Sequence, residues 1–152
     1  TPIMLFSDCT GSMGYLAKEV ASQLAPLIKA LYNSVVVTDP QIAIGLIGDV
    51  MYDDSPLQVT QFESDVSLCD QIEKMYIEGG GGANHFESYD LAWYFAANQT
   101  YTEGPKGYIF TIGDEPPMPE NQATDARYAF KIKHHFGRHY RYRQNIVSAY
   151  HC

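Results

Sequence analysis

Three things are scarce in this sequence, and each scarcity narrows what the chain does. No apolar run approaches the ~20 residues that a membrane-spanning helix needs. Cysteine is limited to Cys9, Cys69 and Cys152, odd in number and without CxxC spacing, which argues against a zinc site built of thiolates and leaves the redox compartment open. Positive charge is thin over residues 1–125, where all 18 acidic residues face four lysines. A body this acidic disfavours nucleic acid as the main partner. The six basic residues of 126–152, with no acid among them, are read as complementing that body.

What is present is a chain of 152 residues, the size of one domain, able to bury roughly two-thirds of its unfolded surface. Ile3–Phe6 reads as a short strand buried on both faces. A helix follows, with Leu16, Val20, Leu24, Leu27, Ile28 and Leu31 at helical spacing, Ser12 available as its N-cap and a kink expected at Pro26. "QIAIGLIGDV" is a second buried strand, and "LQVTQF" alternates like an antiparallel edge strand over 57–62. Helical patterns come next at 65–76 and in "FESYDLAWYFAANQ", separated by the glycine run 79–82. "KGYIFTIGDE" supplies a third buried strand, "NQATDARYAFKIKHHF" a further helix and "NIVSAYH" a last strand. Strands alternating with helices predict an α/β domain with a doubly wound, mainly parallel sheet, one antiparallel edge strand and helices on both faces.

In such a sheet, ligands bind beyond the carboxyl ends of the central strands. Three segments are expected to meet there: "DCTGSMG", "GGGGANHFES" and "GDEPP". They bring Asp8, Thr10, Ser12, Asn84, Glu87, Asp114 and Glu115, a set rich in oxygen and poor in nitrogen. Oxygen donors suit a hard divalent cation such as Mg²⁺, Mn²⁺ or Ca²⁺. Asp8, Thr10 and Ser12 stand at alternate positions, so a tight turn relaxed by Gly11 and Gly14 brings their oxygens to one centre. The plainer reading is that Asp8 and Ser12 cap the first helix.

"DCTGSMG" resembles the D-x-[ST]-x-S motif that opens the metal-ion-dependent adhesion site of von Willebrand factor type A domains. The following helix, the hairpin of second and edge strands, the glycine-rich stretch and the "GDE" aspartate keep that family's order along the chain. The resemblance implies a Rossmann-like fold over 1–152 as a single domain, cut from a longer protein or assembly and truncated before the family's closing helix. It implies that Thr10 and Ser12 bind the cation directly, Asp8 through water, and Asp114 from the third loop. The family's second loop offers a threonine, which this stretch lacks. Asn84 is the nearest oxygen donor there, with Glu87 behind it, although asparagine after glycines is also ordinary turn chemistry.

The function so implied is adhesion or scaffolding: a protein-binding module, not an enzyme, whose cation is completed by a partner's Asp or Glu carboxylate. The competing reading is a Mg²⁺-dependent phosphatase of haloacid dehalogenase type, with Asp8 as nucleophile. That chemistry needs D-x-D, and Thr10 stands where the second aspartate belongs, with a hydroxyl that cannot shuttle a proton near neutrality. The four glycines are followed by no GK[ST], which argues against a phosphate cradle. His134, His135 and His139 are read as surface residues, Trp93 as core, and His85 is the one histidine in a candidate loop.

Overall fold

The computed structural model describes residues 1–11, 16–35, 37–50, 52–77, 86–100, 106–119 and 149–150. They form strand β1 (Pro2–Asp8), helix α1 (Leu16–Tyr32), strands β2 (Gln41–Ile47) and β3 (Leu57–Val59), and helices α2 (Ser67–Ile72) and α3 (Tyr89–Gln99). Strands β4 (Tyr108–Ile112) and β5 (Ala149–Tyr150) complete one mixed sheet of order β3-β2-β1-β4-β5. All neighbours are parallel except β2 and β3, so the fold is α/β with one antiparallel edge strand.

β1 is central because its apolar run can be covered on both sides. Met4, Phe6, Ala43 and Ile47 pack with Tyr89, Leu91, Ala92 and Ala96 of α3. The alternate residues Ile3, Ile42 and Ile44 pack with Ile28 of α1 and with Leu68 and Ile72 of α2. Phe6 and Gly45 are register partners on β1 and β2, and a Cβ on Gly45 would run into the Phe6 ring. Glycine at that position is what lets a large aromatic lie flat in the centre of the sheet. β4 is less covered: Ile109 packs against the α3 side, whereas Tyr108, Phe110 and Ile112 are exposed on the other.

Several elements differ in extent from the sequence reading. The edge strand's regular pairing stops at Val59, and Thr60 continues it with a side chain: the Ile44 amide donates to Thr60 Oγ1 at 2.9 Å. Glu63 then closes an isolated antiparallel bridge to Ile42. α2 is confined to Ser67–Ile72 because Asp65 turns the chain before it, accepting the Ser67 amide at 2.8 Å. α1 continues as one helix through Pro26. α3 starts at Tyr89, three residues later than its apolar pattern suggests, since Glu87 is held in a bridge to Pro117. The glycine run 79–82, the N-cap Ser12 and the helix expected over 121–136 lie outside the described residues, as does most of the last strand.

Candidate metal centre

Each of the three parallel strands β1, β2 and β4 runs at the same edge of the sheet into an aspartate: Asp8, Asp49 and Asp114. Asp8 is the last residue of the central strand and is wholly buried. Its Oδ1 accepts the Thr10 amide at 2.7 Å and the Thr10 hydroxyl lies 2.9 Å away, which folds the first loop back over the strand end. Gly11 then takes φ +43°, a left-handed conformation that favours glycine.

The second segment arrives through Glu87. Its amide donates to the Pro116 carbonyl at 3.0 Å, and the Met118 amide donates to the Glu87 carbonyl at 3.2 Å. This short parallel bridge stitches the entrance of α3 to the segment after β4. Next to it, the Val50 amide donates to Ser88 Oγ at 3.2 Å and the Tyr89 hydroxyl to the Glu115 carbonyl at 2.9 Å. Glu87, itself buried, puts Oε1 2.8 Å from Thr10 Oγ1.

One hydroxyl therefore stands between two carboxylates, and its single proton serves one of them at a time. The outer oxygens, Asp8 Oδ2 and Glu87 Oε2, are buried and accept no hydrogen bond among the described residues. A buried carboxylate oxygen left this way costs more than the ~1–3 kcal/mol of a neutral group. Burial pushes the Asp8 carboxyl above its usual range, against the Thr10 hydrogen bonds and with help from the charges of Asp114 and Glu115. Burial likewise pushes Glu87 up to about 7, again opposed by Thr10 and reinforced by Asp8, Asp49 and Asp114. The Tyr89 phenol is raised for the same reasons, burial first and then the four acids Asp8, Glu87, Asp114 and Glu115. Asp114 is exposed, but it acts on all three groups and so lies within their electrostatic reach.

Of the residues expected from sequence, Asp8 and Thr10 are in direct contact and Asp114 is close by, while Ser12, Asn84 and His85 lie outside the described residues. Glu87, which sequence placed behind Asn84, makes the contact to Thr10. Asp49 was not singled out at all, although "GD" after β2 repeats the "GD" after β4 and would have found it. Among the described residues no three His, Cys, Asp or Glu side chains are gathered as a ready-made ion site. What is gathered is two carboxylates and a hydroxyl, a hard-oxygen set that fits Mg²⁺, Mn²⁺ or Ca²⁺ by donor chemistry.

No family model matches the chain, and no curated protein matches it. Among solved structures it is similar to the pilus adhesin SpaC from Lactobacillus rhamnosus GG in its open conformation, with a TM-score of 0.54 and 17% sequence identity. That likeness covers 77% of this chain and 15% of the adhesin, so the chain spans a small part of the protein it matches. At this identity the likeness is one of fold.

Proposed function

We propose that the chain is a von Willebrand factor type A domain, doubly wound and Rossmann-like, that binds a protein partner through a divalent cation. The ion sits at the carboxyl edge of the sheet, held by Asp8, Thr10, Ser12 and Asp114, and a partner's Asp or Glu carboxylate completes its shell. The observation that carries this reading is the pair of buried carboxylate oxygens, Asp8 Oδ2 and Glu87 Oε2, that flank Thr10 and accept no hydrogen bond among the described residues. A hard cation would satisfy oxygens that the protein does not. The fold likeness to part of a pilus adhesin is compatible with an adhesive role inside a larger protein. Asp8 is wholly buried and tied through Oδ1 to Thr10, which suits an anchor better than an attacking nucleophile, so the phosphatase reading gains nothing.

Calorimetric titration of Mg²⁺ and Mn²⁺ into wild type and Ser12→Ala tests the site. Binding in the first and its loss in the second, with the fold retained, is the expected result. Absence of heat in wild type would sink the proposal. The partner half is tested by selecting peptides on the Mg²⁺-loaded domain. The selected peptides should carry an acid whose amide replacement abolishes binding, and binding that survives EDTA would refute the carboxylate bridge.

A further inference from the structure

Resting on that cation reading, we infer that Glu87, not Asn84, is the ligand brought by the second segment, so that two charged carboxylates hold the ion before any partner arrives. The family resemblance supplies no such residue at this point, since its second loop offers a neutral threonine.

The argument starts from what is left over. Asp8 and Glu87 come from segments 79 residues apart in the chain, and both reach the same Thr10 hydroxyl, at 2.9 and 2.8 Å. Asp8 is fully buried and Glu87 is 4% exposed, yet each keeps one oxygen that accepts no hydrogen bond among the described residues. Those two oxygens, not the clustering of acids, are what a cation would satisfy. The Thr10 proton cannot neutralise the pair, because it is shared and already spent on their inner oxygens.

Glu87 is also held in place rather than free to wander. Its amide and carbonyl are both committed to the bridge with Pro116 and Met118, so its backbone is fixed relative to β1 before a cation binds. A ligand positioned by backbone pairing needs little reorganisation on binding. Formal charge gives the consequence. Two carboxylates neutralise a divalent ion on their own, with Asp49 and Asp114 adding negative potential from nearby. The ion is therefore retained without a partner, and a partner's carboxylate adds contact and selectivity, not the charge that holds the metal.

The test titrates MnCl₂ into the EDTA-treated and dialysed chain by calorimetry, using wild type, Glu87→Gln, Asn84→Ala and Asp8→Asn. Far-UV circular dichroism and metal-free melting serve as the folding controls. Wild type should bind without any added carboxylate. Glu87→Gln and Asp8→Asn should bind at least tenfold more weakly, and Asn84→Ala within about twofold of wild type. If Glu87→Gln binds like wild type while Asp8→Asn does not, the assignment of Glu87 is overturned and the cation site itself stands. If wild type gives no heat and Glu87→Gln only melts higher, Glu87 is a neutral buried acid, and both this inference and the cation reading fall. Glutamine keeps the shape of glutamate, so weaker binding by a folded Glu87→Gln cannot be ascribed to lost packing.

Discussion

The loop after β1 and the loop after β4 begin alike and end differently. Each carries a parallel strand into an aspartate at the same edge of the sheet, yet Asp8 is fully buried and Asp114 is exposed. The difference comes from what covers each strand end. β1 is central, flanked by β2 and β4, and Thr10 and Glu87 close over its end. β4 lies one place further out, and its loop leaves through Glu115 and Pro116 toward the bridge with Glu87. The same residue type is thus an anchor in low dielectric at one strand end and a wetted charge at the other. A sequence motif fixes which residue is present, and the neighbouring strands fix how strongly its charge is felt.

The largest test of that contrast is pH. Glu87 has its carboxyl raised from 4.5 to about 7 in the fold, chiefly by burial. A raised folded pKa means the folded state holds the proton more tightly, so the associated stability is full below pH 4.5 and is lost as pH climbs through about 7. With EDTA present, urea unfolding near pH 8 should show a domain weaker than at pH 5 by up to about 3 kcal/mol. Asp8 is shifted in the same direction, also chiefly by burial. Glu87→Gln should flatten most of this slope, and an unchanged slope in that variant would place the titrating group elsewhere.

A smaller effect concerns how the outer loop is tethered. A Cβ on Gly113 would collide with the Tyr89 hydroxyl, which donates to the Glu115 carbonyl. Gly113→Ala should destabilise by roughly 1–3 kcal/mol. Tyr89→Phe, which removes the hydroxyl and its bond, should cost about 1 kcal/mol and relieve part of the alanine's penalty when the two are combined, since the ring carbons still crowd the added Cβ. Additive effects in the double variant would show that the tether is not where the clash occurs. Smallest of all, Asp114→Asn should leave stability within about 0.5 kcal/mol while weakening Mn²⁺ binding several-fold, as calorimetry would show. A large stability change there would erase the contrast between the two strand ends.

Much of this was legible in the sequence. The wholly apolar runs of β1 and β2, the alternation that marks β3 and the motif "DCTGSMG" are enough to place Asp8 and Thr10 at the end of a central strand. Glu87 was harder. Phe86 fits the apolar spacing of α3, so the pattern drew the three residues before Tyr89 into the helix and hid the bridge they make. That bridge pairs Glu87 with Pro117, 30 residues on, and no local propensity reports a contact of such range. Asp49 escaped for a different reason: one acid after a strand is ordinary turn chemistry until the sheet brings three such ends together.

The sequence contains a single tryptophan, and its place gives the domain a built-in optical reporter. Trp93 sits on α3 and donates its indole N–H to Thr111 Oγ1 on β4 at 2.9 Å, next to the strand end that leads into Asp114. Any rearrangement that slides α3 along β4 must lengthen or break that bond and change the polarity around the indole. Its emission wavelength and quenching by acrylamide would then follow the helix in real time, with no attached dye and no labelling chemistry to disturb the acidic edge.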